Sequence, residues 1–176
     1  PGNRVKIVDL DTGTEEMPVG EEGEVIAQGV KIMKGYLNKP DETANAIREF
    51  QGGKWFYTGD VGKLDEDGYL YIVDRTKDMI SVGGYKVFSL MVEEVLYQHP
   101  AVDMCAIVGI PNPERTGDEK VKAVIQLTPE FKDQDPGKLQ EDLTGFCREQ
   151  LAPYKVPKLF EFTGSIPVTA VGKVDK

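Results

Sequence analysis

Short runs in which hydrophobic and polar residues alternate, separated by glycine-rich turns, dominate the first 73 residues. Such alternation is typical of β-strands, because successive side chains of a strand point to opposite faces of the sheet. The predicted strands cover residues 4–10, 24–29, 54–60 and 68–74. A hairpin-type turn, Glu66-Asp67-Gly68, separates the last two strands.

One helix is predicted within this region. Pro40 opens it, and Asp41 and Glu42 follow in the first turn, where the helix dipole favours acidic side chains. The helix is predicted to end near Phe50. Residues 1–74 are therefore expected to form a small β-rich subdomain.

The pattern changes after Asp74, and residues 75–176 are predicted to form a second domain, with the boundary between Asp74 and Lys77. Its predicted elements are two short strands within 78–87, a helix over 90–98, strands over 102–110 and 119–127, and a helix over 135–151. The order ββαββα over about 100 residues predicts an α+β domain with helices packed on a small sheet.

Both helices of the second domain carry cap signals. Ser89 is predicted to cap the first, and Asp135 is predicted to cap the second with Pro136 at its first position. Apolar residues recur at helical spacing, which predicts buried faces. These residues are Leu90, Val92, Val95 and Leu96 in the first helix, and Leu139, Leu143, Phe146, Cys147 and Leu151 in the second.

The formal net charge of −9 limits the classes of partner. Nucleic acids and anionic membranes need a basic face, so neither is expected as a partner. A small anionic ligand held by a few local cations remains compatible with this charge. No apolar run approaches the roughly 20 residues that span a bilayer, and the chain is expected to be cytoplasmic.

Cysteine and histidine usage predicts no metal site. Cys105 and Cys147 are far apart in apolar contexts, which favours two buried thiols in a reducing compartment. His99 is the single histidine and follows an apolar helical run, so it is interpreted as a helix-end residue and not a catalytic one.

Several polar residues and glycines could carry chemistry, and each also has a structural interpretation. Asp60, after Thr58-Gly59, offers a carboxylate that can accept two hydrogen bonds from a ribose diol, but a Gly-Asp pair at a strand end is also ordinary turn usage. Arg75 and Lys77 follow the returning strand and could be a plain exposed cationic pair.

Two glycine-containing turns are the remaining candidates. Gly83-Gly84 indicates either a turn with positive φ or a place where a ligand or chain comes too close for a Cβ atom. Gly172-Lys173 presents an ammonium suited to a phosphate or a carboxylate. Neither turn matches a dinucleotide fingerprint or a P-loop.

The order of these elements is more specific than any one of them. The chain resembles the C-terminal part of the adenylate-forming enzymes, which include acyl-CoA synthetases, luciferases and the adenylation domains of non-ribosomal peptide synthetases. The resemblance covers essentially all 176 residues. It runs through "GYLNKPDET", "WFYTGDVGKLDEDGYLYIVDR", "KDMISVGGYKV", "VEEVLYQHPAV", "GIPNPERTGDE", "LAPYKVPKLFEF" and "IPVTAVGKVDK".

The resemblance implies roles for individual residues. Asp60 would bind the ribose hydroxyls of ATP or acyl-AMP, and Arg75 would make a second ribose or phosphate contact. Lys77 would be the hinge about which a mobile C-terminal domain swings. Gly83 and Gly84 would line the tunnel for the pantetheine of CoA, and Lys173 would bridge the acyl carboxylate and the α-phosphate during adenylation.

The resemblance further implies a carboxylic acid, ATP, Mg²⁺ and CoA as the substrates and ion of a longer enzyme of the long-chain fatty acid–CoA ligase type. The family's phosphate loop, its acyl pocket and most of its adenine site are missing, and both ends of the chain look cut. The chain is therefore expected to be a C-terminal fragment, inactive by itself, whose partner is a missing N-terminal large domain. Two alternatives stay open: a peptide-synthetase adenylation domain and a non-catalytic binding module.

Overall fold

The computed structural model describes residues 2–170 and 172–176. The chain divides into two compact units, one that ends at Lys77 and one that covers Asp78–Lys176. Each unit combines β-sheet with α-helix, so the predicted α+β class is confirmed. The assignment of 1–74 and 75–176 to two parts of an enzyme stays a prediction.

The first unit contains an antiparallel five-stranded sheet and one short helix. Its elements are β1 (Asn3–Val8), β2 (Gly23–Gly29), α1 (Pro40–Ala46), β3 (Ile47–Phe50), β4 (Gly53–Leu64) and β5 (Leu70–Arg75). The strand order is β1-β2-β4-β3, and β5 also pairs with β4. The long strand β4 therefore holds three other strands by its backbone.

A small cluster of buried side chains fills the centre of this sheet: Val8, Ile26, Phe50, Trp55 and Tyr57. The Phe50 and Trp55 rings meet edge to face with their centroids 6.1 Å apart. This pair fastens β3 to β4, because aromatic side chains bury a large area and favour this geometry.

The predicted helix from Pro40 to Phe50 is wrong in its second half. The helix ends at Ala46, and Ile47–Phe50 form β3, with Ile47 opposite Phe56 and Phe50 opposite Gly53. Helical propensity is weak evidence against tertiary packing, and here burial of Phe50 against Trp55 favours the strand.

The second unit begins with a β-hairpin and continues as a sheet covered by two helices. Its elements are β6 (Ile80–Val82), β7 (Tyr85–Val87), α2 (Ser89–Leu96), β8 (Val102–Pro111), β9 (Glu119–Leu127), α3 (Pro136–Gln150) and β10 (Leu159–Thr163). Strands β8 and β9 are antiparallel, and β10 pairs with β9 in parallel. The core of the unit lies between this sheet, α2 and α3.

The predicted order ββαββα is confirmed, but β10 follows it and was not predicted. This edge strand is only five residues long, and its side chains are half-buried or exposed. Its hydrophobic alternation is therefore too short to separate it from a loop, and only its pairing with β9 defines it.

One of the two predicted caps is confirmed. The Asp135 carboxylate accepts a hydrogen bond from the Lys138 backbone N–H at 2.9 Å, and Pro136 begins α3. The Ser89 cap is wrong: Ser89 is itself the first residue of α2, and the preceding Phe88 offers no side-chain cap.

The apolar faces of the helices agree with the prediction except at one residue. Leu90 is 42% exposed and was wrongly predicted to be buried. The other residues predicted on these faces are buried, or in the case of Phe146 half-buried against the core.

Both thiols are buried and the histidine lies at the end of a helix, as predicted. Cys105 and Cys147 are buried and free, and burial raises their pKa to about 12 and about 11, so both stay protonated. His99 lies just after α2, where its Nδ1 accepts the Ala101 N–H at 3.2 Å and its Nε2 lies 3.3 Å from the Asp142 carboxylate.

Within residues 2–170 and 172–176, every helix is too short or too polar to cross a lipid bilayer.

Candidate active site

A bulge in β4 positions the first candidate residue, Asp60. The strand end predicted at this residue is wrong, because β4 continues to Leu64. Tyr57 pairs with Ile26 of β2, and Val61 pairs with Glu24, so Thr58, Gly59 and Asp60 together face only Val25. The extra residues push this part of β4 out of the regular ladder.

Local hydrogen bonds hold the bulge in one conformation. Gly59 has a φ of +74°, which favours glycine. The Thr58 hydroxyl donates to the Val25 carbonyl at 2.8 Å and accepts from the Asp60 N–H at 3.1 Å. The Asp60 carboxylate is therefore carried on a fixed backbone, not on a mobile turn.

Asp60 and Arg75 are brought together by strand pairing. They are opposite each other in the β4–β5 ladder, and Arg75 Nε lies 3.5 Å from Asp60 Oδ1. Both side chains remain open to solvent, at 36% exposure for Asp60 and 59% for Arg75. An acceptor and a cation side by side could contact a ribose diol and a phosphate of one nucleotide.

Lys77 is exposed and lies in a single 3-10 turn, Thr76–Asp78, after β5. It is the last residue of the first unit. The Thr76 hydroxyl donates to the Gly59 carbonyl at 3.2 Å, which ties the start of this turn to the β4 bulge.

The Gly83-Gly84 pair forms the two-residue turn between β6 and β7. The φ angles are +58° and +84°, which is the type I′ pattern that suits a tight hairpin. An added Cβ atom at either residue would meet nothing within 4 Å. Of the two interpretations left open by the sequence, the turn with positive φ is therefore observed, and no protein atom crowds it.

Two carboxylates that sequence reasoning missed hold this hairpin. Asp118 Oδ1 accepts the Gly83 N–H at 2.5 Å, and Glu119 Oε2 accepts the Ser81 N–H at 2.8 Å. The Asp118 carboxylate also accepts from the Asn112 amide at 3.0 Å. The hydrogen bond from Gly83, and then that from Asn112, lower the pKa of Asp118 below its ordinary value of 3.8.

Lys173 lies in a loop near the end of the chain, and its residue is exposed. Gly172, just before it, has a φ of +79°. The Lys173 backbone is fixed on Thr169: its carbonyl accepts the Thr169 N–H at 2.7 Å, and its N–H donates to the Thr169 hydroxyl at 3.2 Å. These bonds tie the Lys173 backbone to Thr169.

The candidate residues therefore form three groups. Asp60, Arg75 and Lys77 belong to the first unit, and Gly83-Gly84 and Lys173 belong to separate hydrogen-bond networks of the second. Within the described residues, no group of three or more His, Cys, Asp or Glu side chains is arranged to hold a metal ion.

Comparison with known proteins finds a family model that matches part of the second unit. The family model "AMP-binding enzyme C-terminal domain" matches residues 91–173. Residues 91–173 are therefore similar to the C-terminal domains of AMP-binding enzymes. The whole chain is similar in sequence and fold to adenylate-forming enzymes, so the predicted resemblance is confirmed.

Two relatives and one solved structure illustrate the similarity to adenylate-forming enzymes. A long-chain-fatty-acid–CoA ligase of Bacillus subtilis (strain 168) is 43% identical over 174 residues, which are 99% of this chain and 29% of the relative. A feruloyl-CoA synthase of an Amycolatopsis species is 41% identical over 162 residues, which are 92% of this chain and 31% of the relative.

The solved structure chosen for comparison is that of the o-succinylbenzoate CoA synthetase of Bacillus subtilis in complex with the acyl-adenylate intermediate. It is 31% identical with a TM-score of 0.80, over 98% of this chain and 32% of that chain. This chain therefore spans about a third of the length of the adenylate-forming enzymes that it matches.

The Asp118–Gly83 contact predicts a pH dependence of the hairpin turn. Since the folded-state pKa is depressed, the ionised carboxylate stabilises the turn fully above the ordinary pKa of 3.8, and this stabilisation is lost as the pH falls through the folded-state value. We expect the NMR shift of the Gly83 amide proton to titrate with a midpoint below 3.8. In Asp118→Asn the titration should disappear.

Glu114→Gln is the matched control, because Glu114 is an exposed carboxylate of the same connection and should leave the titration unchanged. A Gly83 titration that survives in Asp118→Asn would contradict the contact.

Proposed function

We propose that the full protein is an ATP-dependent fatty acid–CoA ligase, and that this chain is its C-terminal part. Residues 1–74 would be the last β-rich subdomain of the adenylation domain, and 75–176 the mobile C-terminal domain. The observation that carries the proposal is the 43% identity to a long-chain-fatty-acid–CoA ligase across 99% of the chain. The two buried, reduced thiols agree with a cytoplasmic location.

The proposed reaction has two steps. The acid carboxylate attacks the α-phosphorus of ATP, which forms acyl-AMP and releases pyrophosphate. The CoA thiol then attacks the acyl carbonyl carbon, a proton leaves the sulfur, and AMP departs as acyl-CoA forms. The first step brings two anions together, so a cation at the developing charge should lower its barrier most.

The roles of the residues follow from the chemistry of their side chains. Asp60 would accept hydrogen bonds from the ribose hydroxyls, and Arg75, facing it across the ladder, would contact the ribose or a phosphate. Lys173 would bridge the carboxylate and the α-phosphate. Lys77, at the end of the first unit, would be the hinge. Gly83 and Gly84 would line the pantetheine tunnel.

Mg²⁺ is proposed to accompany ATP in the full enzyme. No described cluster of this chain is arranged to hold the ion, so none of its residues is assigned to it. Its charge would offset that of the triphosphate.

The acid is proposed from similarity alone, because the family's acyl pocket is expected to lie outside this chain. The feruloyl-CoA synthase is nearly as similar as the fatty acid ligase, at 41% identity. An aromatic acid is therefore the second candidate substrate. The peptide-synthetase and binding-module alternatives remain as outcomes of the same experiment.

The test is an acid-dependent pyrophosphate release assay on the full-length protein with ATP and Mg²⁺. Palmitate, ferulate, acetate and a set of amino acids would be compared, each with and without CoA. We expect release with palmitate above all others and CoA-dependent product. Residues 1–176 alone should show none, since most of the ATP site is missing.

Each other outcome assigns a different function. Preference for ferulate would move the substrate to aromatic acids, and preference for an amino acid without CoA transfer would favour a peptide synthetase. If no acid causes pyrophosphate release, the non-catalytic binding module is the favoured alternative. Release by residues 1–176 alone would overturn the fragment interpretation.

Lys173→Ala in the full-length enzyme should reduce acyl-AMP formation by about 10²–10³-fold, because a preorganised cation is lost from the developing charge. Thioester formation from supplied acyl-AMP should be spared. Both rates would be measured separately by rapid quench. Lys138→Ala, an exposed lysine of α3, is the matched control, and equal loss of both half-reactions in Lys173→Ala would contradict the role.

Gly84→Leu should have the opposite pattern. A bulky side chain at the turn should slow thioester formation from acyl-AMP by at least about 10-fold by blocking the thiol, while acyl-AMP formation persists. Gly84 has a φ of +84°, so any side chain also introduces backbone strain.

Two variants separate strain from blockage. Gly84→Ala introduces the strain without the bulk, and Gly117→Leu introduces both at another open turn with a φ of +81°. Unimpaired thioester formation in Gly84→Leu would remove Gly84 from the proposed tunnel.

A further inference from the structure

The buried carboxylate of Glu93 joins three parts of the second unit. Glu93 lies in α2 and is 7% exposed. Its Oε1 accepts the Ile107 N–H of β8 at 2.8 Å and lies 2.7 Å from Nζ of Lys176. The same ammonium donates to the Ser89 hydroxyl at 2.7 Å. Lys176, which follows the last strand, is thereby held against the start of α2.

This ion pair differs from the surface pairs of the chain. The side chains of Lys176 and Glu93 are only 19% and 10% exposed. An exposed pair contributes little, but removal of one partner of a buried pair leaves a charge without compensation, which is strongly unfavourable. The contact should therefore fix the position of Lys176 firmly.

Lys176 closes one side of the loop that carries Lys173. The Asp175 N–H donates to the Pro167 carbonyl at 3.0 Å, and Val168 forms an antiparallel bridge with Val174. These bonds make the base of the loop, and Lys176 comes directly after it.

The other side of the loop is also anchored. Ile166 is buried, and its N–H donates to the side-chain oxygen of Gln126 in β9 at 3.1 Å. The loop therefore has one anchor on β9 through Ile166 and one on α2 through Lys176.

We propose that Lys176, through Glu93 and Ser89, is a positioning residue for Lys173. This inference rests on the proposed function of Lys173 in adenylation. Three residues span at most about 11 Å, so an anchor at Lys176 restricts the volume that the Lys173 ammonium can reach. Without the anchor, the loop would pivot on Ile166 alone. A displacement of about 1 Å at a reacting group can cost about 10²-fold in rate.

The test uses the full-length enzyme with Lys176→Met, which removes the ammonium and keeps most of the stem. We expect the kcat for acyl-AMP formation to fall by about 10²-fold. The KM for ATP should change less than about 3-fold, because Lys176 itself does not contact substrate. Thioester formation from supplied acyl-AMP should be retained, since that step does not use Lys173.

Two variants support the measurement. Lys176→Arg restores a cation and should recover most of the lost rate. Lys122→Met is the matched control: it removes another ion pair of the same unit, the 2.6 Å contact between Lys122 of β9 and Glu161 of β10, and should leave adenylation unchanged.

A separate readout reports the loop itself. In Lys176→Met, hydrogen exchange at the Thr169 and Asp175 amides should accelerate by about 10-fold, while exchange in α3 stays unchanged. If Lys176→Met does not fold, Ser89→Ala replaces it. That variant removes one hydrogen bond of the ammonium and keeps its ion pair with Glu93, so it should produce the same pattern with a smaller effect of about 3-fold.

Three results would overturn the inference: unchanged acyl-AMP formation in a folded Lys176→Met or Ser89→Ala, equal loss of both half-reactions, or unchanged hydrogen exchange of the loop. Failure of the proposed function is distinguishable, because the wild-type enzyme would then form no acyl-AMP from any acid. In that case the exchange measurement alone decides whether Lys176 anchors the loop.

Discussion

The need to pair backbone hydrogen-bonding groups governs where this chain can present its candidate residues. In a regular antiparallel ladder the N–H and C=O groups are already used, and side chains alternate between the faces. Asp60, the Gly83-Gly84 pair and Lys173 lie where a ladder is interrupted or in a turn or loop outside one. Asp60 follows Gly59 in the β4 bulge, Gly83 and Gly84 are the β6–β7 turn, and Lys173 follows Gly172, all with positive φ at the glycine.

Patterns that depend on neighbouring residues were predictable from the sequence. The strands β8 and β9, the apolar face of α3 and its Asp135 cap are all predicted from residues close together in the chain, and all are confirmed. Positive φ at Gly83-Gly84 was one of two options, and the φ angles of +58° and +84° confirm it. The positions of the candidate residues were predictable, whereas their roles came from a resemblance.

Features that depend on distant residues were missed. Strand β3 exists because Phe50 meets Trp55, and β10 exists because it pairs with β9. The ties of Asp118 to Gly83 and of Glu93 to Lys176 span 35 and 83 residues of sequence. No local pattern of charge distinguishes such carboxylates from the many that lie in solvated turns.

The two networks of the second unit use the same physical device on different elements. In each, a carboxylate accepts a backbone N–H: Asp118 accepts that of Gly83 in the hairpin turn, and Glu93 accepts that of Ile107. Glu93 also pairs with the Lys176 ammonium, next to the loop that carries Lys173. Because one anchor lies in the β8–β9 connection and the other in α2, a change in either should leave the other in place. Separate anchors are what a domain would need if it used Lys173 in one half-reaction and the Gly83-Gly84 turn in the next.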